Sequence, residues 1–199
     1  MKTVFLLIIC LVIQEKTVNS QTLQQQLKNA QTQTDQLHVR MTSVLVKFRM
    51  EMSKILTGIV SESLSHILKA LEASQPKVQN AGDEIDIESE RIGKQISRCS
   101  AQADNDIEAA IKQFFIVHNP IHENSFGLLN IVLEQMVEWS ISSDPKEMVD
   151  HIQEMIEAKT KEFEMTSVPA LEDEFRKFKN ILYLVPSSVS RCTSEAINN

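Results

Sequence analysis

Apolar residues recur at steps of three and four along most of this chain, and only four glycines interrupt it: Gly58, Gly82, Gly93 and Gly127. That spacing returns a side chain to one face of an α-helix. A half-buried strand needs strict alternation instead, and little of it is present. Glu, Lys, Gln, Leu, Ile and Met dominate, which is a helix-forming palette. The expected fold class is all-α. No Gly/Ser-rich linker divides the chain, so a single fused helical bundle is expected, with coiled-coil-like packing.

The periodicity places the helices. Leu37, Met41, Val44, Phe48, Met52, Ile55 and Ile59, continued by Val60, Leu64, Ile67 and Leu71, predict one stripe on a helix over about 22–73, closed by Pro76. A second helix over about 77–117 carries Ile85, Ile92, Ile96, Cys99, Ala103, Ile107, Ile111 and Phe114, and ends at Asn119-Pro120. Leu128 to Ile141 reads as a third, with Leu129, Val132, Met136 and Trp139 on its apolar face. Asp144-Pro145-Lys146-Glu147 is a strong helix start, with a capping Asp, a Pro suited to the first position and a capping-box Glu. The helix that follows carries Met148, Ile152, Met155 and Phe163. Another, after Ser167, has the seam Leu171, Phe175, Phe178, Leu182 and Val185; Pro186 breaks it before a short helix from Ser187 to Ala196. The Gln-rich stretch from Gln21 to Gln36 reads as a solvated helical end.

The first twenty residues have the order of a secretory signal peptide: Lys2, the apolar run Val4 to Ile13, then the small residues around Val18-Asn19-Ser20. Ten apolar residues are too few to span a bilayer. Cleavage before Gln21 would remove Cys10 and leave Cys99 and Cys192, for which one intramolecular pairing exists. Secretion would supply the oxidising environment in which that bond persists. Losing Lys2, Glu15 and Lys16 would also take the net charge from −7 to −8. An acidic surface repels phosphate backbones, so nucleic-acid binding is disfavoured. Residues 21–199 lack an Asn-x-Ser/Thr sequon, so no N-linked glycan is expected.

The cysteines belong to an echo. Ile96-Ser97-Arg98-Cys99-Ser100-Ala101-Gln102-Ala103-Asp104-Asn105 returns 93 residues later as Val189-Ser190-Arg191-Cys192-Thr193-Ser194-Glu195-Ala196-Ile197-Asn198, identical at five of ten positions. The same offset lays Ser74-Gln75-Pro76 over Ser167-Val168-Pro169. An imperfect tandem repeat is expected, with units of about 21–106 and 114–199.

Motifs that carry chemistry are weak. His118 and His122 are four apart beside Glu123, the spacing of a zinc pair, but Pro120 stands between them and no third ligand is indicated. No metal site and no cofactor is expected. The acidic run Asp83 to Glu90 lacks the spaced ligands and central glycine of a calcium loop; a helix start explains it more simply. No Gly-x-Ser-x-Gly, phosphate loop or Cys-x-x-Cys occurs, so an enzyme is not expected. Methionine is in excess, and such flexible side chains line adaptable apolar pockets as well as cores. Met52, Met136, Trp139, Met148 and Met155 are the ligand-pocket candidates.

The leader, the helical composition and the repeated Ser97-Arg98-Cys99 and Ser190-Arg191-Cys192 resemble insect secreted proteins of the TsetseEP-domain type. The resemblance implies an extracellular helical protein of gut, haemolymph or glandular secretion, and it transfers no catalytic residue. The expected function is non-enzymatic interaction with a protein partner. The alternative is an extracellular carrier of a lipid or other apolar molecule between helices. Self-association is suggested by the seam from Leu171 to Val185.

Overall fold

A computed structural model describes residues 2–139 and 145–198 of the chain; side chains are described for most positions from Thr22 onward. Helix α1 runs Lys2–Asn80 and α2 runs Ile85–Trp139, with a 3-10 turn at Gly82–Glu84 between them. Helix α3 spans Pro145–Glu162 and passes through a π-helical turn, Phe163–Ser167, into α4, Val168–Leu182. Helix α5 is Val185–Asn198. Among the described residues only Ala81, Tyr183 and Leu184 lie outside helix, and none is in a strand.

The prolines terminate less than the sequence suggests. Pro76 was expected to close the first helix, yet α1 continues to Asn80. Proline deprives the carbonyl four residues back of its donor, and here the helix ends one turn later anyway. The true terminator is Gly82, whose φ of 58° is left-handed. Ala81 N donates to the Val78 carbonyl at 3.2 Å and Glu84 N to the Ala81 carbonyl at 3.1 Å, closing the turn. Asn119-Pro120 likewise does not end the second helix: α2 carries Pro120 in its interior and takes in residues 128–139, expected as a separate helix.

No break occurs at Ser167 either. The π turn holds the path together, and Pro169 gives its cause. A proline ring clashes with the carbonyl four residues earlier, here Met165, inside the widened turn. Pro186 sits at the second position of α5, where a missing N–H is harmless. The last helix therefore begins at Val185, ahead of the expected Ser187. The expected cap Asp144 lies outside the described residues.

The chain packs as two compact units. The first comprises Met1–Val44 and Ile121–Val168. Its buried side chains include Leu27, Leu37 and Met41 of α1, Ile121 of α2, Val149, Ile152 and Ile156 of α3, and Phe163. The Gln-rich stretch, read as a solvated end, thus contributes to a core: Leu27, Ala30 and Thr34 are buried while the neighbouring Gln24, Gln25 and Gln31 are exposed. Thr34 Oγ1 is satisfied by donating to the Ala30 carbonyl at 2.9 Å.

The second unit comprises Leu45–Pro120 and Pro169–Asn199. Phe114 of α2, fully buried, is its centre. The Phe114 ring lies 5.8 Å from Phe175 and 5.9 Å from Phe178, and Phe48 of α1 stands edge-on to Phe175 at 5.2 Å. These spacings suit aromatic pairs, and truncating such a buried ring costs about 3–5 kcal/mol. A second cluster joins Ala70, Ile92, Ile96 and Ala196.

The sequence stripes need two corrections. On α1 the core-facing residues of this unit are Leu45, Met52, Ile59 and Ala70, whereas Val60, Leu64 and Leu71, expected on the same stripe, are exposed. On α2 the stripe holds from Ile92 to Phe114, but Ile85 is exposed. Leu171, Phe175, Phe178, Leu182 and Val185 are all buried, so the seam that suggested self-association is core.

Candidate functional site

The sequence singles out Cys99 and Cys192, and the structure joins them. Both belong to the second unit, Cys99 on α2 and Cys192 on α5, with Cα atoms 5.8 Å apart in a disulfide. Position on the apolar face brings them in: Cys99 follows Ile92 and Ile96 at helical spacing, and Val189 and Ala196 are buried either side of Cys192. Closing a loop of 93 residues stabilises by about 4.6 kcal/mol in the chain-entropy picture. Two shallow clefts flank the bond, of about 200 and 240 Å³. Arg98 lines one, Arg191 and Asp106 the other, beside apolar residues such as Ala196 in the first and Val185 and Val189 in the second.

The C-terminal end of α5 is tied as closely. Its last carbonyls have no intrahelical donor. Lys77 Nζ, from the last turn of α1, donates to the Ile197 carbonyl. Arg91 Nη1 reaches the Ala196 carbonyl at 3.4 Å. Cations at a helix C-terminus also suit its partial negative charge. Arg91 is itself held by Glu88 through hydrogen bonds of 2.8 and 2.7 Å. That contact lowers the Glu88 carboxyl below its usual range and raises the Arg91 guanidinium.

His118 has a different setting from the one its spacing suggested. It is fully buried on the continuous helix α2, against Phe114 and Phe115. Arg49 Nε donates to His118 Nε2 at 3.2 Å, and Nδ1 lies 3.3 Å from Asn119 Oδ1. An accepting Nε2 places the proton on Nδ1, where it can be donated to Asn119. Both nitrogens then have protein partners, an arrangement unlike that of a metal ligand. Among the described residues no group of three His, Cys, Asp or Glu is placed to hold a metal. The acidic run meets the start of α2, where Asp86 and Glu88 occupy the first turn.

The ligand-pocket candidates do not gather into one described site. Met52 is buried in the second unit and Met155 is half-buried on α3 of the first. The side chains of Met136, Trp139 and Met148 lie outside the described residues. An open groove of about 510 Å³ runs between α1 and α3 in the first unit, and no candidate methionine lines it. Its walls carry Gln33, Arg40, Glu157 and Lys161 beside Leu37 and Ile156, and Arg40 pairs with Glu164 at its edge.

Spacing alone could not have found the Arg49–His118 contact or the cations on α5, because each joins residues distant in sequence. The split of the α1 stripe did have a signal: Leu45 and Val46, and Ile59 and Val60, are adjacent apolar pairs, which one face cannot accommodate. No helix among the described residues is long and apolar enough to cross a membrane. No protein-family model, curated protein or solved structure matches the chain.

Proposed function

We propose that this chain is a secreted, non-enzymatic helical protein that works by binding other molecules in an insect-type extracellular fluid. The observation that carries the reading is the Cys99–Cys192 disulfide in a chain whose first twenty residues have the order of an export signal. A bond of this kind is kept in oxidising compartments and is rare where glutathione holds thiols reduced. The ten-residue echo around the two cysteines supports an imperfect tandem repeat as its origin, and the repeated Ser-Arg-Cys supports kinship with insect secreted helical proteins of the TsetseEP-domain type. The bound molecules would be protein surfaces; the mixed polar lining of the first-unit groove favours these over an apolar cargo.

Expression in a secreting eukaryotic cell tests it. The medium should contain a chain that begins at Gln21 and has no alkylatable thiol on intact-mass analysis. Retention in the cytosol with Cys99 and Cys192 both alkylated would overturn the reading.

A further inference from the structure

Six large apolar side chains of α1 remain uncovered within the second unit: Val46, Met50, Val60, Leu64, Leu68 and Leu71. Met50 is 68% and Leu68 59% exposed, values far from those of core positions. At 3.6 residues per turn the six share an arc of about 80°, centred roughly 120° from the seam of Leu45, Met52, Ile59 and Ala70. The two polar interruptions of that arc are Ser53 and Thr57. Thr57 Oγ1 donates to the Ser53 carbonyl at 2.9 Å, so its hydroxyl is satisfied within the helix. α1 therefore carries two apolar faces, one filled by its own unit and one open.

Size and charge argue for the occupant. The six side chains expose on the order of 500 Å², within the range of the largest patch a monomer usually shows and commonly a functional one. Two such faces together bury about 1,000 Å², the area that a specific interface has to clear. Lys47, Lys54 and Glu72 follow one edge of the arc, with the cations at its N-terminal end and the carboxylate at its C-terminal end. Parallel pairing of two copies would bring opposite edges together and leave Lys47 roughly 38 Å from Glu72 along the axis. Antiparallel pairing sets Lys47 against Glu72 twice and Lys54 against Ser65. That register brings Val46 within two positions of Leu71 and Met50 within one of Leu68, so apolar side chains of the two copies lie near one another along the same face.

We propose that residues 46–72 of α1 form a self-association face, on which a second copy of this chain docks antiparallel across a two-fold axis. A face that complements itself in this way is isologous and closes at the dimer. The inference does not depend on export or on the binding role proposed above.

Sedimentation velocity on the purified full chain tests it over the micromolar range. A dimer is expected. Leu64→Glu with Leu68→Glu should give monomer with the circular dichroism of the parent, because both positions are exposed, and a thermal midpoint that no longer depends on protein concentration. Lys47→Glu should weaken the dimer about tenfold by creating two like-charge contacts. Adding Glu72→Lys should restore it, which distinguishes this face from association through any other segment. A monomeric parent chain would overturn the proposal, as would a dimer indifferent to these substitutions. Co-sedimentation of monomer with phosphatidylcholine–phosphatidylglycerol vesicles, lost in the Leu64→Glu/Leu68→Glu variant, would assign the face to a lipid surface instead and equally overturn it.

Discussion

Asp173 is the most heavily engaged surface carboxylate described. Lys177 donates to it at 2.9 Å and Arg176 also contacts it, and these hydrogen bonds hold its carboxyl below the usual aspartate range. Asp173 also raises the Lys177 ammonium, aided by Glu174 at 3.0 Å. The signs fix where the contact matters. A lowered carboxyl contributes stability above the ordinary aspartate range and loses it as pH falls through the folded value. A raised ammonium contributes below the ordinary lysine value and loses it as pH rises through its own folded value. The contact should therefore be intact across neutral pH. NMR titration of the Asp173 side chain should show a midpoint below that of an unpaired aspartate, moving up on Lys177→Ala. Since the pair is exposed, little change in neutral stability should accompany that shift. Such an i,i+4 pair was legible from the order of residues alone, unlike the Arg49–His118 contact, whose partners are 69 positions apart.

For the helices, Gly82 gives the sharpest prediction. Nothing lies within 4 Å of the position a Cβ would take, so the penalty of Gly82→Ala comes from the left-handed backbone and not from crowding. It should cost about 1 kcal/mol, read as a lowered urea midpoint at unchanged m-value. Gly93, inside α2, has similar open space and no positive φ, so Gly93→Ala is the control and should be neutral or stabilising.

Sequence reading succeeded where one face does one job. The seam from Leu171 to Val185 and the run from Ile92 to Phe114 were both legible; the seam is buried throughout, and the run is buried except at Ile107 and Ile111, which are half-buried. It failed at Pro76, Pro120 and Pro169, since a proline's local cost can be met by a nearby helix end, by surrounding packing or by a wider turn. It failed again on α1, where two apolar faces overlap in one periodic list and only tertiary packing says which is filled.

At the level of the whole molecule, helical class and the cysteine pairing were legible. The division into two packing units was not, because each unit draws on stretches far apart in the chain. One of these units contains the disulfide and the other contains none. Reduction, or Cys99→Ala with Cys192→Ala, should lower stability by about 4.6 kcal/mol. Amide exchange should place that loss in the second unit, in α5 and the adjoining parts of α2 and α4, and spare α3. An equal loss in α3 would mean that the two units unfold as one.

The two half-cystines also stand on either side of the peptide bonds from 99 to 192. A protease that cuts anywhere in that interval would therefore leave its fragments tethered, raising the mass by one water while the product migrates as one species until a thiol is added. Wherever endopeptidases act on it, such a chain would be nicked once in that interval and still travel as a single molecule.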